Sequence, residues 1–210
     1  NVRPDAIKTF KWFKENGVNI KVISGDDALT VSEIAREAGI TNAEEYISLH
    51  GMSIEEVKKV APFYTVFGRV TPEQKEALVQ SLKDEGHTVA MTGDGVNDIL
   101  ALKRADCSIA MASGSPAARN VSHIVLMDNN FDRLPHVVAE GRRVINNIQR
   151  TSSVFLVKTT FAMLLTLFFF IMSWIDNSYS YPFLTNHMYC WEILAIGLSA
   201  FFLALPKNDE

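Results

Sequence analysis

Cysteine is scarce: the 210 residues contain only Cys107 and Cys190. Two thiols so far apart supply neither a disulfide framework nor a zinc site, and they read as reduced thiols of a cytosol-facing protein. Excess positive charge is also lacking. With 20 Lys and Arg against 24 Asp and Glu, there is no basic footprint for nucleic acid, which is excluded as a partner. No Gly-rich run ends in Gly-Lys-Ser or Gly-Lys-Thr, so phosphate chemistry of the P-loop kind is excluded too. The opening residues, NVRPDAIKTF, have the rhythm of an amphipathic helix and no mark of a signal or transit peptide. A first residue of Asn, not Met, gives the expectation of a piece of a longer chain. The sharpest shortage is local. Residues 151–210 hold six of the 44 charged residues but 13 of the 21 aromatics. A mean hydropathy of +0.08 therefore averages two populations suited to two solvents.

Up to about residue 135, strand-like and helix-like segments alternate. Residues 6–16 carry Ile7, Phe10 and Phe13 on one helical face and stop at Gly17. A β-branched run at 20–23 leads into Ser24-Gly25-Asp26, and 29–38 read as a helix closed by Gly39. An apolar run at 64–67 is followed by Thr71-Pro72, where Thr caps and Pro opens a helix over 73–85. Residues 88–91 read as a strand entering Thr92-Gly93-Asp94-Gly95, 97–104 as a helix, and 107–111 and 124–127 as two more strands. The acidic segment 41–62 shows little periodicity. The alternation predicts an α/β fold, a parallel sheet with helices on both faces, over residues 1–133. Ligands of such folds bind beyond the C-terminal strand ends, which puts both Gly-Asp segments on one rim.

The remainder is different in kind. Residues 134–153 form a basic helix with Arg142, Arg143 and Arg150, and no terminator separates it from the apolar stretch 154–175. Those 22 residues, at 1.5 Å each, suffice to cross a hydrocarbon core of about 30 Å. A polar loop at 176–187 precedes a second apolar stretch, 188–205, and a short tail, 206–210. The expectation is a transmembrane hairpin contacting membrane lipid in an integral protein of the cell membrane. Arg142, Arg143, Arg150, Lys158 and Lys207 flank the spans while the loop carries no Lys or Arg, which predicts that both ends face the cytoplasm. Trp174, Tyr179, Tyr181, Tyr189 and Trp191 suggest an aromatic belt at the outer interface. Lys158 reads either as a snorkelling lysine or as part of an ion site. Glu192, the single acid within either span, reads either as an ion-pathway carboxylate or as a residue near the outer interface that reaches water.

The most informative segment is Thr92-Gly93-Asp94-Gly95-Val96-Asn97-Asp98. Two carboxylates four apart, where a strand opens into a helix, suit a hard cation such as Mg²⁺ held by oxygens. Gly93 and Gly95 allow a sharp turn and close approach to an anion. A calcium loop of EF-hand type fails, because Val96 stands where Asp or Asn is required. A plain Asx-rich turn is the alternative.

Together these segments resemble the P-type (E1-E2) cation-transporting ATPases, pumps built on the haloacid dehalogenase fold. Residues 92–98 are similar to their hinge signature, Ser24-Gly25-Asp26 to their second phosphate-site motif, and Arg69-Val70-Thr71-Pro72-Glu73-Gln74-Lys75 to the segment that bears their lysine. Order and spacing match, as does the passage from a basic stalk into what resemble the fifth and sixth membrane helices. The resemblance implies a partial, Rossmann-like phosphorylation domain. It implies that Asp94 ligates Mg²⁺, that Asp98 orients the loop or the metal, and that Lys75 neutralises the phosphoryl group. Ser24, Gly25 and Asp26 would then bind phosphate.

What the family pattern has and this sequence lacks is an Asp-Lys-Thr-Gly-Thr nucleophile segment. The nucleotide domain that brings ATP and the first four membrane helices are likewise expected upstream, in the missing N-terminal part of the same protein, so the isolated chain is expected not to autophosphorylate. Ile99-Leu100 replace the family's usual Ala-Pro, and Ile196 stands where calcium and sodium pumps carry Asp. Calcium is nevertheless the leading guess for the transported cation. The alternatives are a membrane-anchored phosphatase of the dehalogenase kind and a catalytically inactive domain that binds Mg²⁺ or phosphate.

Overall fold

The structure, a computed structural model, describes residues 4–176, 178 and 181–204. It divides into two compact units, Asn1–Pro135 and His136–Glu210.

In the first unit the chain runs α1 (Pro4–Glu15), β1 (Val22–Ile23), α2 (Ala28–Glu37), β2 (Tyr46–Ser48), α3 (Ile54–Val60), β3 (Val66–Gly68) and α4 (Pro72–Asp84). It continues with β4 (Ala90–Thr92), a 3₁₀ turn (Val96–Asp98), α5 (Ile99–Arg104), β5 (Cys107–Met111), α6 (Pro116–Val121), β6 (Ile124–Leu126) and a second 3₁₀ turn (Phe131–Arg133). All strand pairs are parallel, as the alternation predicts, but they form two three-stranded sheets rather than one, in the orders β1-β3-β2 and β4-β5-β6. β1 and β4 are thus each an edge strand, and each runs into one of the Gly-Asp segments.

Helices cover both faces, for a reason visible in β3. Its successive side chains point oppositely: Val66 packs with Val31, Ala35 and Ala43 on the α2 side, and Phe67 with Leu49, Val57 and Leu78 on the side of α3 and α4. α4 serves both sheets, because Leu78 joins that second cluster while its neighbour Val79 packs against Ala101, Val89 and Met91 by β4 and α5. Phe13 of α1 and Leu134 close the other side against Ile109 and Leu126.

Three elements go beyond the sequence reading. The weakly periodic stretch 41–62 contains β2 and α3, of three and seven residues, too short for a period to declare itself. α6 has six residues and is marked only by the cap Ser115 before Pro116.

In the second unit, α7 (Leu134–Ile175) begins at the border and runs 42 residues, so the expected stalk and first span are one unbroken helix. Among the described residues, one helical run, Phe131–Ile175, is long and apolar enough to cross a membrane. The second apolar stretch begins its helix three residues earlier than expected. It comprises α8 (Thr185–Trp191), a π-helical segment (Glu192–Gly197) and α9 (Leu198–Ala204), which follow one another without a break. The expected tail 206–210 with Lys207, the last residue of the span, Tyr179 and the side chain of Ile196 lie outside the described residues.

Candidate functional site

Both motif-bearing edge strands are anchored just before they begin. Lys21, preceding β1, donates from Nζ to the carbonyls of Ala61 (2.9 Å) and Tyr64 (2.6 Å), and burial holds its ammonium below the ordinary lysine value against the opposing pull of Glu85 and Glu45. Before β4, the Val89 amide donates to Asp106 Oδ2 at 2.9 Å, and Lys83 lies 2.9 Å from Oδ1. These bonds, the amide first and Lys83 second, hold the Asp106 carboxyl below the usual carboxylate range.

At the end of β1, Ser24 Oγ accepts from the Asp26 amide (3.1 Å) and donates to Asp26 Oδ2 (3.3 Å), a closed turn at the surface. The segment leading to Lys75 lies on this turn. Arg69 takes a left-handed conformation, φ 53°, which aims its amide at the Asp26 carbonyl (2.8 Å), and the Val70 amide reaches the Ser24 carbonyl (3.1 Å). Gly68 permits the approach, since a Cβ there would stand 2.4 Å from the backbone of Ala28.

Lys75 sits in the first turn of α4, which is fixed by a capping box. Gln74 N donates to Thr71 Oγ1 (3.3 Å) and Thr71 N to Gln74 Oε1 (3.0 Å). The Gln74 amide group also donates to the carbonyls of Leu49 (3.0 Å) and Met52 (2.9 Å), so the helix start cannot rotate freely.

So held, Lys75 Nζ meets Asp98 Oδ1 at 2.7 Å, with both side chains 12% exposed. Asp98 Oδ2 accepts from the Gly95 amide at 3.1 Å. Gly93 makes room for this carboxylate: a Cβ at that position would lie 2.6 Å from Asp98 Cβ. Both oxygens of Asp98 are therefore engaged within the protein, by a cation and by the loop it closes.

Asp94 is placed differently. Its carbonyl accepts from the Ser115 amide (2.7 Å), with Gly114 pressed close enough that a Cβ would stand 2.9 Å from that carbonyl. Asp94 lines a cavity of about 280 Å³ with Ser113, Asn129, Asn130, Phe131 and Asp132. Asp132 itself has its Oδ1 buried without a hydrogen-bond partner, 4.0 Å from Arg133 Nε. Among the described residues no cluster of three or more His, Cys, Asp or Glu exists. Asp94 is a hard oxygen donor of the kind Mg²⁺ takes, and that ion keeps several waters and needs only one or two protein carboxylates.

Ser113, Asn129, Asn130 and Asp132 escaped the sequence reading. The signal available was the Asx run 128–130 directly after the last strand, where Asn129 adopts φ 55° and accepts from the Ser113 amide at 2.7 Å. The structure thus joins Ser24 with Asp26 and Lys75 with Asp98, and seats Asp94 beside loop residues not foreseen. Glu192, in the second unit, pairs with Lys158.

Residues 1–106 match the model of the haloacid dehalogenase-like hydrolases. Along its whole length the chain is 46% identical to the calcium-transporting ATPase CtpE of Mycobacterium tuberculosis, of which it spans 27%. With the probable cation-transporting ATPase exp7 of Streptococcus pneumoniae it shares 39% identity, over 99% of the chain and 27% of that protein. In fold, 97% of the chain superposes on 27% of a zinc-transporting PIB-type ATPase in its E2.Pi state, with a TM-score of 0.62 at 22% identity. The chain spans about a quarter of the length of these relatives.

Proposed function

Because the chain belongs to the haloacid dehalogenase-like hydrolases, we propose that it is part of an ATP-driven cation pump of the P type. It contributes the second portion of the phosphorylation domain, the stalk and two membrane helices. One observation carries this reading. Three motif segments distant in sequence are linked pairwise, by the amides of Arg69 and Val70 on the turn 24–26 and by the Lys75 ammonium on Asp98.

The chemistry follows from these positions. Phosphoryl transfer spreads negative charge over equatorial oxygens, so catalysis is mostly positioning with cations and N–H groups. The Gly25 amide, and the Ser24 hydroxyl once it turns from Asp26 Oδ2, donate to those oxygens, and Lys75 neutralises their charge. Asp98 acts as a positioning residue that orients Lys75 and holds the Gly95 turn. Asp94 would hold Mg²⁺, which when bound would supply further neutralisation of phosphate charge.

The nucleophilic Asp that forms the aspartyl phosphate belongs to an upstream segment of the same protein. α7, unbroken from the border of the first unit into the apolar stretch, suits a rod that transmits domain movement to the membrane. Both chain ends lie on the cytoplasmic side, from the distribution of Lys and Arg around the spans. Calcium is the leading transported ion, since relatives at up to 46% identity are named calcium-transporting.

In the full-length protein, Asp94→Asn should lower cation-stimulated ATP hydrolysis by roughly 10³-fold while leaving the melting temperature nearly unchanged. Hydrolysis that survives this substitution contradicts the assignment.

A further inference from the structure

The helix that carries Lys75 is held along one face by two buried polar side chains. Gln74, 5% exposed, and Ser81, 7% exposed, stand seven residues apart in α4, about two turns, and so lie on one side of the helix. Both donate to backbone carbonyls of the same neighbouring stretch. Gln74 Nε2 reaches the carbonyls of Leu49 (3.0 Å) and Met52 (2.9 Å), and Ser81 Oγ reaches that of Lys58 (2.8 Å). That stretch is itself fixed. The Leu49 amide donates to the Gly68 carbonyl at the end of β3 (3.0 Å), the Met52 amide closes back on the Leu49 carbonyl (3.1 Å), and the Leu49 side chain is fully buried. Contacts at two points, two turns apart, set both the height and the rotation of α4. Lys75 then projects about 100° round the axis from Gln74.

An amide at position 74 is a specific choice. Its two hydrogens go to the two carbonyls and its oxygen accepts from the Thr71 amide (3.0 Å), so both hydrogens and the oxygen are engaged. Local helix chemistry alone favours Glu at this place, which closes a capping box equally well and adds a negative charge at the helix start. α3 shows that alternative within the same chain, where Glu56 holds the matching position and accepts from the Ser53 amide at 2.8 Å. A carboxylate at 74 would close the box too, but would face the Leu49 and Met52 carbonyls with no hydrogen to give. The Lys75 ammonium rides on a flexible four-carbon stem and is fixed at its tip by Asp98 (2.7 Å). When it turns to a phosphoryl group that tie is shared or lost, and its reach is then set by where α4 holds its Cα.

We propose that Gln74, seconded by Ser81, is a positioning residue of the phosphate site. It indexes α4 against residues 49–58 and so sets where Lys75 Nζ meets the phosphoryl group. Gln74 acts through Lys75 and touches no substrate itself. The inference rests on the pump reading, which makes Lys75 the phosphate lysine. A misplacement of about 1 Å at such a site costs up to roughly 10²-fold, so a small slip of the helix start has a measurable consequence.

The test uses the full-length protein and equilibrium binding of radiolabelled orthovanadate, a phosphate mimic, in the presence of Mg²⁺. Gln74→Glu should weaken binding roughly tenfold, and Ser81→Ala, which removes one bond, roughly threefold. In a Lys75→Met background neither substitution should weaken binding further, because the lysine they aim is gone. Wild-type affinity in Gln74→Glu overturns the proposal. So does a loss that persists in the Lys75→Met background, since Gln74 is then a support of the fold at large. Should Gln74→Glu fail to fold, Ser81→Ala decides. A loss that Lys75→Met abolishes supports the proposal, and unchanged or background-independent binding overturns it. Failure of the pump reading shows separately, as a wild type that forms no phosphoenzyme from ATP while orthovanadate binding keeps its dependence on Gln74 and Lys75.

Discussion

The first unit holds Lys75 against Asp98 and the second holds Lys158 against Glu192, and these two pairs are built differently. Lys75 and Asp98 are each 12% exposed. Asp98 is also tied by the Gly95 amide, fitted against Gly93, and met by a lysine whose helix start is pinned through Thr71 and Gln74. Glu192 begins a π-helical segment and reaches its lysine across a chain reversal held by edge-to-face aromatic contacts. The first arrangement fixes a charge within a packed loop; the second joins two helices across a reversal of the chain. A salt bridge is informative only through what surrounds it.

The strongest way to break this comparison is to remove one carboxylate from each pair. Asp98→Ala strands a mostly buried ammonium and should destabilise the first unit by about 3 kcal/mol. Glu192→Gln should change stability by about 1 kcal/mol or less, in line with polar pairs between membrane helices. Thermal melts of the full chain in detergent measure both, and equal losses would erase the distinction.

Next in size is the fit of Asp98 against its loop. Gly93→Ala sets a methyl 2.6 Å from Asp98 Cβ and should cost about 1–3 kcal/mol. Gly25→Ala, with nothing within 4 Å of the added Cβ, should stay within about 0.5 kcal/mol. The same melts decide, and similar shifts at both positions contradict a loop shaped around Asp98.

The smallest effect concerns the anchor of β4. Asp106 is held below the usual carboxylate range in the folded chain, so its contribution is present above the unfolded value near 3.8 and lost as pH falls through the folded value. Asp106→Asn should therefore lower stability at neutral pH, with the difference from wild type vanishing in stronger acid. A difference independent of pH would mean that the Val89 bond carries no charge component.

Much of this was legible in the residues. Thr71-Pro72 announced the start of α4, and the Gly-Asp segments declared themselves at strand ends. The unbroken passage from basic helix to apolar span was legible in the absence of any terminator after Arg150. Illegible parts share a cause, which is that they depend on where separate pieces come to rest. Asp98 and Asp94 are chemically alike in sequence. Only the position of α4 gives one to Lys75, and only the loops after β5 and β6 give the other a cavity. Lys158 and Glu192 appeared as two isolated charges at different depths, because span counting assumes that a loop turns at the surface, whereas residues 181–184 double back along α7. β2 and α3 went unseen because three and seven residues carry no readable period.

The central claim is that the chain carries the phosphate-stabilising half of a P-type pump site, with the nucleophile on an upstream segment. Incubation with γ-labelled ATP, followed by acid precipitation and hydroxylamine treatment, tests it most directly. The full-length protein should form an acid-stable, hydroxylamine-sensitive phosphoenzyme, and the 210-residue chain alone should form none. Label of that kind on the isolated chain, or none on the full-length protein, would contradict the account.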